Sequence, residues 1–149
     1  AAQLMANSAK KAGIDIEVIR EPNDGYWSNV WNNDAKGWCA CYWGGRPAET
    51  MMFSAAYVAE SKWNDTMWKT TDSAVKFNQL VKDARKELDE SKKRDILYEC
   101  QRLIYDDGGL LCPLFNSYVS ANSKKIAHGK IAANWDSDGA KCVERWWFA

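Results

Sequence analysis

Histidine is nearly missing from this chain, with His128 alone, and proline is scarce, at three residues. A single histidine restricts Ser-His-Asp catalysis to one position. In its context, KIAHGK, it reads as a surface-loop residue. The sequence also has no glycine-rich phosphate loop, no GxSxG elbow and no HExxH pair. Gly44-Gly45 lacks the later glycine, or the Lys-Ser/Thr, that would gather backbone donors around a phosphate. No apolar stretch reaches membrane-spanning length, and the first residues carry neither the basic start nor the apolar core of a signal peptide. Net charge is absent as well: 20 Lys and Arg balance 20 Asp and Glu. Without a basic excess there is no electrostatic ground for a nucleic-acid partner.

What is present is the composition of a folded protein, 149 residues with 46% hydrophobic and 27% charged side chains. Nine tryptophans are a large excess. Trp is rarely buried completely and its ring N–H needs a partner, so some rings are expected to line a surface or crevice. Trp146 and Trp147 cannot both lie on one face of a strand. The five cysteines, Cys39, Cys41, Cys100, Cys112 and Cys142, are odd in number and widely spaced, which makes no disulfide framework. They are expected to be mostly buried free thiols acting as small hydrophobes. No metal site and no cofactor is expected, because CxC alone is weak and His128 is remote from it.

Along the chain, Leu4, Met5, Ser8, Ala9 and Ala12 predict a helix stopped by Gly13, and Ile14, Ile16 and Val18 alternate with acids as a strand. After the turn at residues 21–25, with Asp24 as a possible cap, Tyr26, Trp27, Val30 and Trp31 predict a short aromatic helix ended by residues 32–37. The apolar run 38–43 predicts a buried strand bounded by Gly44-Gly45, and residues 48–59 a helix. Residues 61–71 read as loop. Two amphipathic helices follow, with stripes Phe77, Leu80, Val81, Ala84, Leu88 and Ile96, Leu97, Cys100, Leu103, Ile104, joined by a hinge at residues 89–91. Residues 110–115 predict a second buried strand, in which Pro113 marks an edge or a missing ladder bond, continued by residues 118–121. The last segment, 123–149, has little period and ends in RWWF. Alternating strands and helices imply an α/β fold.

The carboxylate pairs Asp106-Asp107 and Asp136/Asp138 are better explained as turn formers than as acid–base machinery. Nothing here argues for an enzyme, although Cys41 as the nucleophile of a small hydrolase is one alternative. A binding role is better supported. The end of a buried strand is where open α/β sheets place ligands. There Trp43 offers a flat apolar face, Arg46 can pair with a carboxylate, and Glu49 can meet an amine or neutralise Arg46.

Three stretches, LMANSAKKAGIDIEV, WCACYWGG and SAVKFNQLVKDARKELDESKKRDILYECQRLIYDDGGLLCPLFNSYVSA, together resemble the carboxyl-terminal part of the extracellular solute-binding proteins of family 5, the oligopeptide- and dipeptide-binding group serving ABC importers. The resemblance covers most of the chain and rests on the order of elements rather than on one strict motif. It implies a partial lobe of a periplasmic-binding-protein-like fold, a mixed sheet flanked by helices. The chain would be a single α/β domain, 1–149, from the second of two lobes, with 123–149 belonging with the remainder. The helical start without an initiator Met agrees with a piece of a longer protein. Cys41 takes the place of the family's aspartate that holds a peptide amino terminus, which a neutral thiol cannot do. The implied ligand site is Cys41, Trp43, Gly44, Gly45, Arg46 and Glu49. The implied function is reversible capture of a peptide or other small polar or anionic solute outside the cytoplasm, for delivery to membrane permease subunits. The alternative is a soluble domain that binds another protein through Trp-rich surfaces.

Overall fold

The computed structural model describes residues 1–33, 35 and 37–149. Its contacts divide the chain into two compact units, residues 1–43 and 44–149. In the first unit, α1 (Ala2–Lys10) buries Ala6 and closes through Gly13, whose φ of 78° is open to glycine at little cost. A short helix, α2 (Tyr26–Asn29), follows.

The second unit is built on a helical hairpin, α4 (Asp72–Lys86) and α5 (Glu90–Asp107). Ahead of it, α3 (Glu49–Met52) runs into a π-helical turn, Phe53–Tyr57. In α4 the buried residues are Ala74, Phe77, Val81 and Ala84, a stripe at three- and four-residue spacing that faces Cys100 and Leu103 of α5. Each hairpin helix starts on a side-chain cap: Thr71 accepts the amide of Ala74, and Asp89 accepts those of Ser91 and Lys92. Three further residues close the core from the preceding segment, Phe53, Val58 and Trp68. The ring of Phe77 meets Phe53, Tyr57 and Trp68 at centroid distances of 5.5, 6.5 and 5.1 Å. Outside, Lys76, Glu99, Arg102 and Asp106 form a ladder of ion pairs at 2.5 to 2.8 Å. Two hydrogen bonds from Arg102 and one from Lys76 hold the Glu99 carboxyl down to about 2.

Helix dominates, and the α/β expectation is corrected. The only sheet among the described residues is a two-stranded antiparallel ribbon, β1 (Ile126–His128) with β2 (Trp146–Phe148). It is not the mixed sheet of a periplasmic-binding-protein-like lobe. The runs 14–18, 38–43, 110–115 and 118–121 form no strand. A strand exists only through a neighbour that shares its ladder, and none of these runs has one here. Trp38 and Tyr42, expected in a sheet interior, are exposed, as are Leu111, Leu114 and Phe115. The expected helix over 48–59 is shortened to α3 and the π turn. Residues 61–71 have turns and no helix or strand, yet Asn64 and Trp68 within them are buried. The helix stop placed at residues 32–37 falls partly on residues 34 and 36, outside the described residues. Cys100 is buried as expected, whereas Cys41 and Cys112 are exposed.

Candidate functional site

In the first unit, aromatic rings gather where α2 meets the segment 37–43. The chain enters α2 through Gly25 at φ 77°, and a Cβ there would come within 2.8 Å of the Asn29 side-chain nitrogen. Only glycine fits that entry without displacement. From it, Trp27 and Trp31 rise four residues apart on one side and pack edge to face at 5.7 Å. Trp27 also meets Tyr26 at 5.9 Å and Tyr42 at 5.3 Å, nearly perpendicular in both cases. Trp31 meets Trp43 at 6.2 Å. The five rings therefore form one continuous chain of edge-to-face contacts, the geometry that aromatic quadrupoles favour.

A hydrogen bond fixes this arrangement. The Tyr26 hydroxyl donates to the carbonyl of Ala40 at 2.9 Å, tying segment 37–43 to α2. Burial first, then the neighbouring Cys39 and Cys41, push the Tyr26 phenol above its ordinary range, so it remains a neutral donor. The outer members stay open to solvent: Trp27 is 45% exposed and Tyr42 76%. Flat, rigid rings with little rotamer freedom to lose make an efficient contact surface.

Of the residues singled out from sequence, Cys41 and Trp43 belong to this unit, Cys41 exposed and Trp43 half-buried. Gly44, Gly45, Arg46 and Glu49 belong to the second unit. There Arg46 donates through Nη1 to the carbonyls of Gly44 at 2.7 Å and Gly45 at 3.2 Å, and its guanidinium lies 5.5 Å from the centre of the Trp135 ring. These contacts close the turn. Exposed Glu49 opens α3, where a carboxylate suits the helix dipole.

The carboxylates read as turn formers have more specific places. Asp107 at the end of α5 accepts hydrogen bonds from the Ser73 hydroxyl, from Trp68 Nε1 at 2.9 Å and from the Thr71 hydroxyl at 2.9 Å, and those bonds lower its pKa. It ties the end of one helix to the start of the other. Asp138 is buried and accepts the amide of Ala132 at 2.6 Å and Trp146 Nε1 at 2.9 Å, with Arg145 Nη1 at 3.2 Å. The Ala132 amide leads the causes that hold it below the carboxylate range. It anchors α6 (Asp136–Ala140), a turn in which Ser137, Asp138, Gly139 and Ala140 all have positive φ. A left-handed conformation costs roughly 1–2 kcal/mol per non-glycine residue. Three donors on one carboxylate hold the turn in place. His128 lies in β1 rather than in a loop, its ring 5.1 Å from that of Trp146.

Among the described residues no group of three or more His, Cys, Asp or Glu is placed to hold a metal ion, and no helix is long and apolar enough to cross a membrane. What the geometry defines is a helical chain with an open aromatic cluster. Compared with known protein families, curated proteins and solved structures, the chain matches none.

Proposed function

We propose that this chain is a binding module that docks another protein on the aromatic cluster of Tyr26, Trp27, Trp31, Tyr42 and Trp43, without covalent chemistry. The observation that carries the reading is the exposure of Trp27 and Tyr42 within a cluster already packed and hydrogen-bonded into place. Pre-positioned aromatic side chains lose little entropy on binding and are the residues most often dominant in interfaces. The test uses the intact chain against an immobilised peptide library, with Trp27→Ala and Tyr42→Ala beside the parent. Truncating a dominant interface Trp costs about 2–4 kcal/mol, roughly 30-fold or more in affinity. A selected peptide that binds parent and Trp27→Ala equally would remove the cluster from the interface.

A second reading is solute capture for an ABC importer, outside the cytoplasm and in partnership with a permease. Its support is the resemblance together with the position of one of these rings, Trp43, immediately before Gly44-Gly45 in the chain, since an aromatic face can stack on a small molecule. Titrating a panel of peptides, opines, oligosaccharides and nickel complexes against tryptophan fluorescence separates the two. Saturable quenching by a small solute, abolished in Trp27→Ala, favours capture. Response to folded or extended protein segments alone favours docking.

A further inference from the structure

The two exposed rings of the aromatic cluster meet at a right angle. Trp27 and Tyr42 have centroids 5.3 Å apart and planes at 88°, so one ring stands edge-on upon the face of the other. Tyr26 meets Trp27 in the same manner, at 5.9 Å and 82°. Such a contact uses the edge of one ring and part of one face of its neighbour. Beside it, the face of the standing ring and the uncovered face of the other form two walls of a corner.

The charges carried by this stretch are mainly negative. Residues 21–43 contain Glu21, Asp24 and Asp34 against Lys36 alone. Burial, then Cys39 and Cys41, raise the Tyr26 phenol, and the half-buried Glu21 carboxylate adds to them, which puts its charge beside the cluster. Exposed Asp24 immediately precedes Gly25, where the chain enters α2. Elsewhere the chain shows what such rings attract. Among the described residues, Arg46 lies over Trp135 and Lys62 over Trp63, both in the second unit, and no lysine or arginine is placed over Trp27 or Tyr42. A π face attracts a cation within about 6 Å of its centroid, and a neighbouring carboxylate adds to that attraction.

We propose that the corner of Trp27 and Tyr42 receives the ammonium of a lysine side chain, free or methylated, from the docked protein. The inference rests on the docking reading and names the side chain that the cluster recognises. A compact ammonium in a right-angled corner touches two π faces at once, whereas a planar guanidinium stacks on one. The methylene stem of the lysine covers the apolar rims of the rings. Glu21 and Asp24 repel an acidic segment and draw a basic one toward the cluster.

The intact chain is titrated, with tryptophan fluorescence as readout, against otherwise identical short peptides that carry lysine, trimethyl-lysine, or the neutral analogue in which carbon replaces the trimethylammonium nitrogen. A charged peptide should give a saturable change, and the neutral analogue should bind about 5-fold or more weakly, since it keeps the shape and loses the cation–π attraction. Comparing the two charged peptides identifies the free or the methylated ammonium as the preferred form. Tyr42→Leu keeps apolar bulk at an exposed position and should abolish the preference for charge while far-ultraviolet circular dichroism stays unchanged. Glu21→Gln should weaken the charged peptides and leave the neutral analogue as it was. Charged and neutral peptides that bind alike, a preference that survives Tyr42→Leu, or no saturable response to either charged peptide would each overturn the proposal. A library peptide that still depends on Trp27 in any of these cases keeps the docking reading and removes the ammonium alone.

Discussion

Replacing Asn64 by aspartate is expected to convert a neutral contact of the core into a pH-dependent one. Asn64 is fully buried, and its amide nitrogen faces the carbonyls of Tyr57 at 3.0 Å, Trp68 at 3.1 Å and Val58 at 3.4 Å, while its oxygen accepts from the Thr66 hydroxyl at 3.0 Å. Two N–H groups thus serve three carbonyls, two at the end of the π turn and one at Trp68. Asn64→Asp preserves the shape but sets carboxylate oxygen against carbonyl oxygen. Each buried acceptor left without a donor costs about 1–3 kcal/mol, so three of them sum to about 3–9 kcal/mol at neutral pH. Protonation restores one donor, and the introduced group therefore has a higher pKa folded than unfolded. Its folded form binds the proton first, so lowering the pH favours the fold. Relative to the parent at each pH, the variant should recover up to about 1.4 kcal/mol per pH unit below its raised folded pKa. Urea unfolding followed by near-ultraviolet circular dichroism, which reads the packed Trp68, measures both quantities. A variant within about 0.5 kcal/mol of the parent at pH 7, or a deficit equal at pH 7 and pH 5, would refute the reasoning.

Asp107→Asn should weaken the link between the ends of α4 and α5 most clearly near neutral pH. Because the folded pKa of Asp107 is depressed, its contribution is present above the unfolded carboxylate range and is lost as pH falls through the folded value. The parent and variant unfolding curves should therefore converge in strong acid, and a gap unchanged down to pH 2 would count against the network. Thiol chemistry offers a separate check. Burial pushes Cys100 up to about 11, whereas Cys41 and Cys112 are exposed, so a disulfide reagent should label the latter two first and Cys100 only on unfolding. Early labelling of Cys100 would mean that the hairpin core opens readily.

The hairpin was legible because its information is local. Phe77, Val81 and Ala84 declare a helix face within one stretch of chain, and the stripe of α5 does the same. The runs 38–43 and 110–115 carry an equally strong apolar signal, but apolar character says only that a segment seeks cover. Whether cover comes from a ladder depends on a distant partner that no local pattern specifies. Asn64 and Trp68 were hidden in a polar stretch without period, and Asp138 in a short acidic cluster that looked like any solvated turn. Their roles come from donors brought in by other segments. At the cluster of the first unit, the helical spacing of Trp27 and Trp31 was readable, while Tyr42 joins them through the Tyr26–Ala40 hydrogen bond, which spacing does not encode. Arg46 donates to the carbonyls of Gly44 and Gly45, a local contact that its place after two glycines does not declare.

The two hairpin helices are separated by only residues 87–89, and most of their core lies between residues 53 and 104. Closing so short a connection costs little chain entropy, so native pairing here requires no long search. During synthesis from the amino terminus, this part can collapse while residues 110–149 are still being added. The late-emerging tail, with its left-handed turn, would then mature on a scaffold already in place.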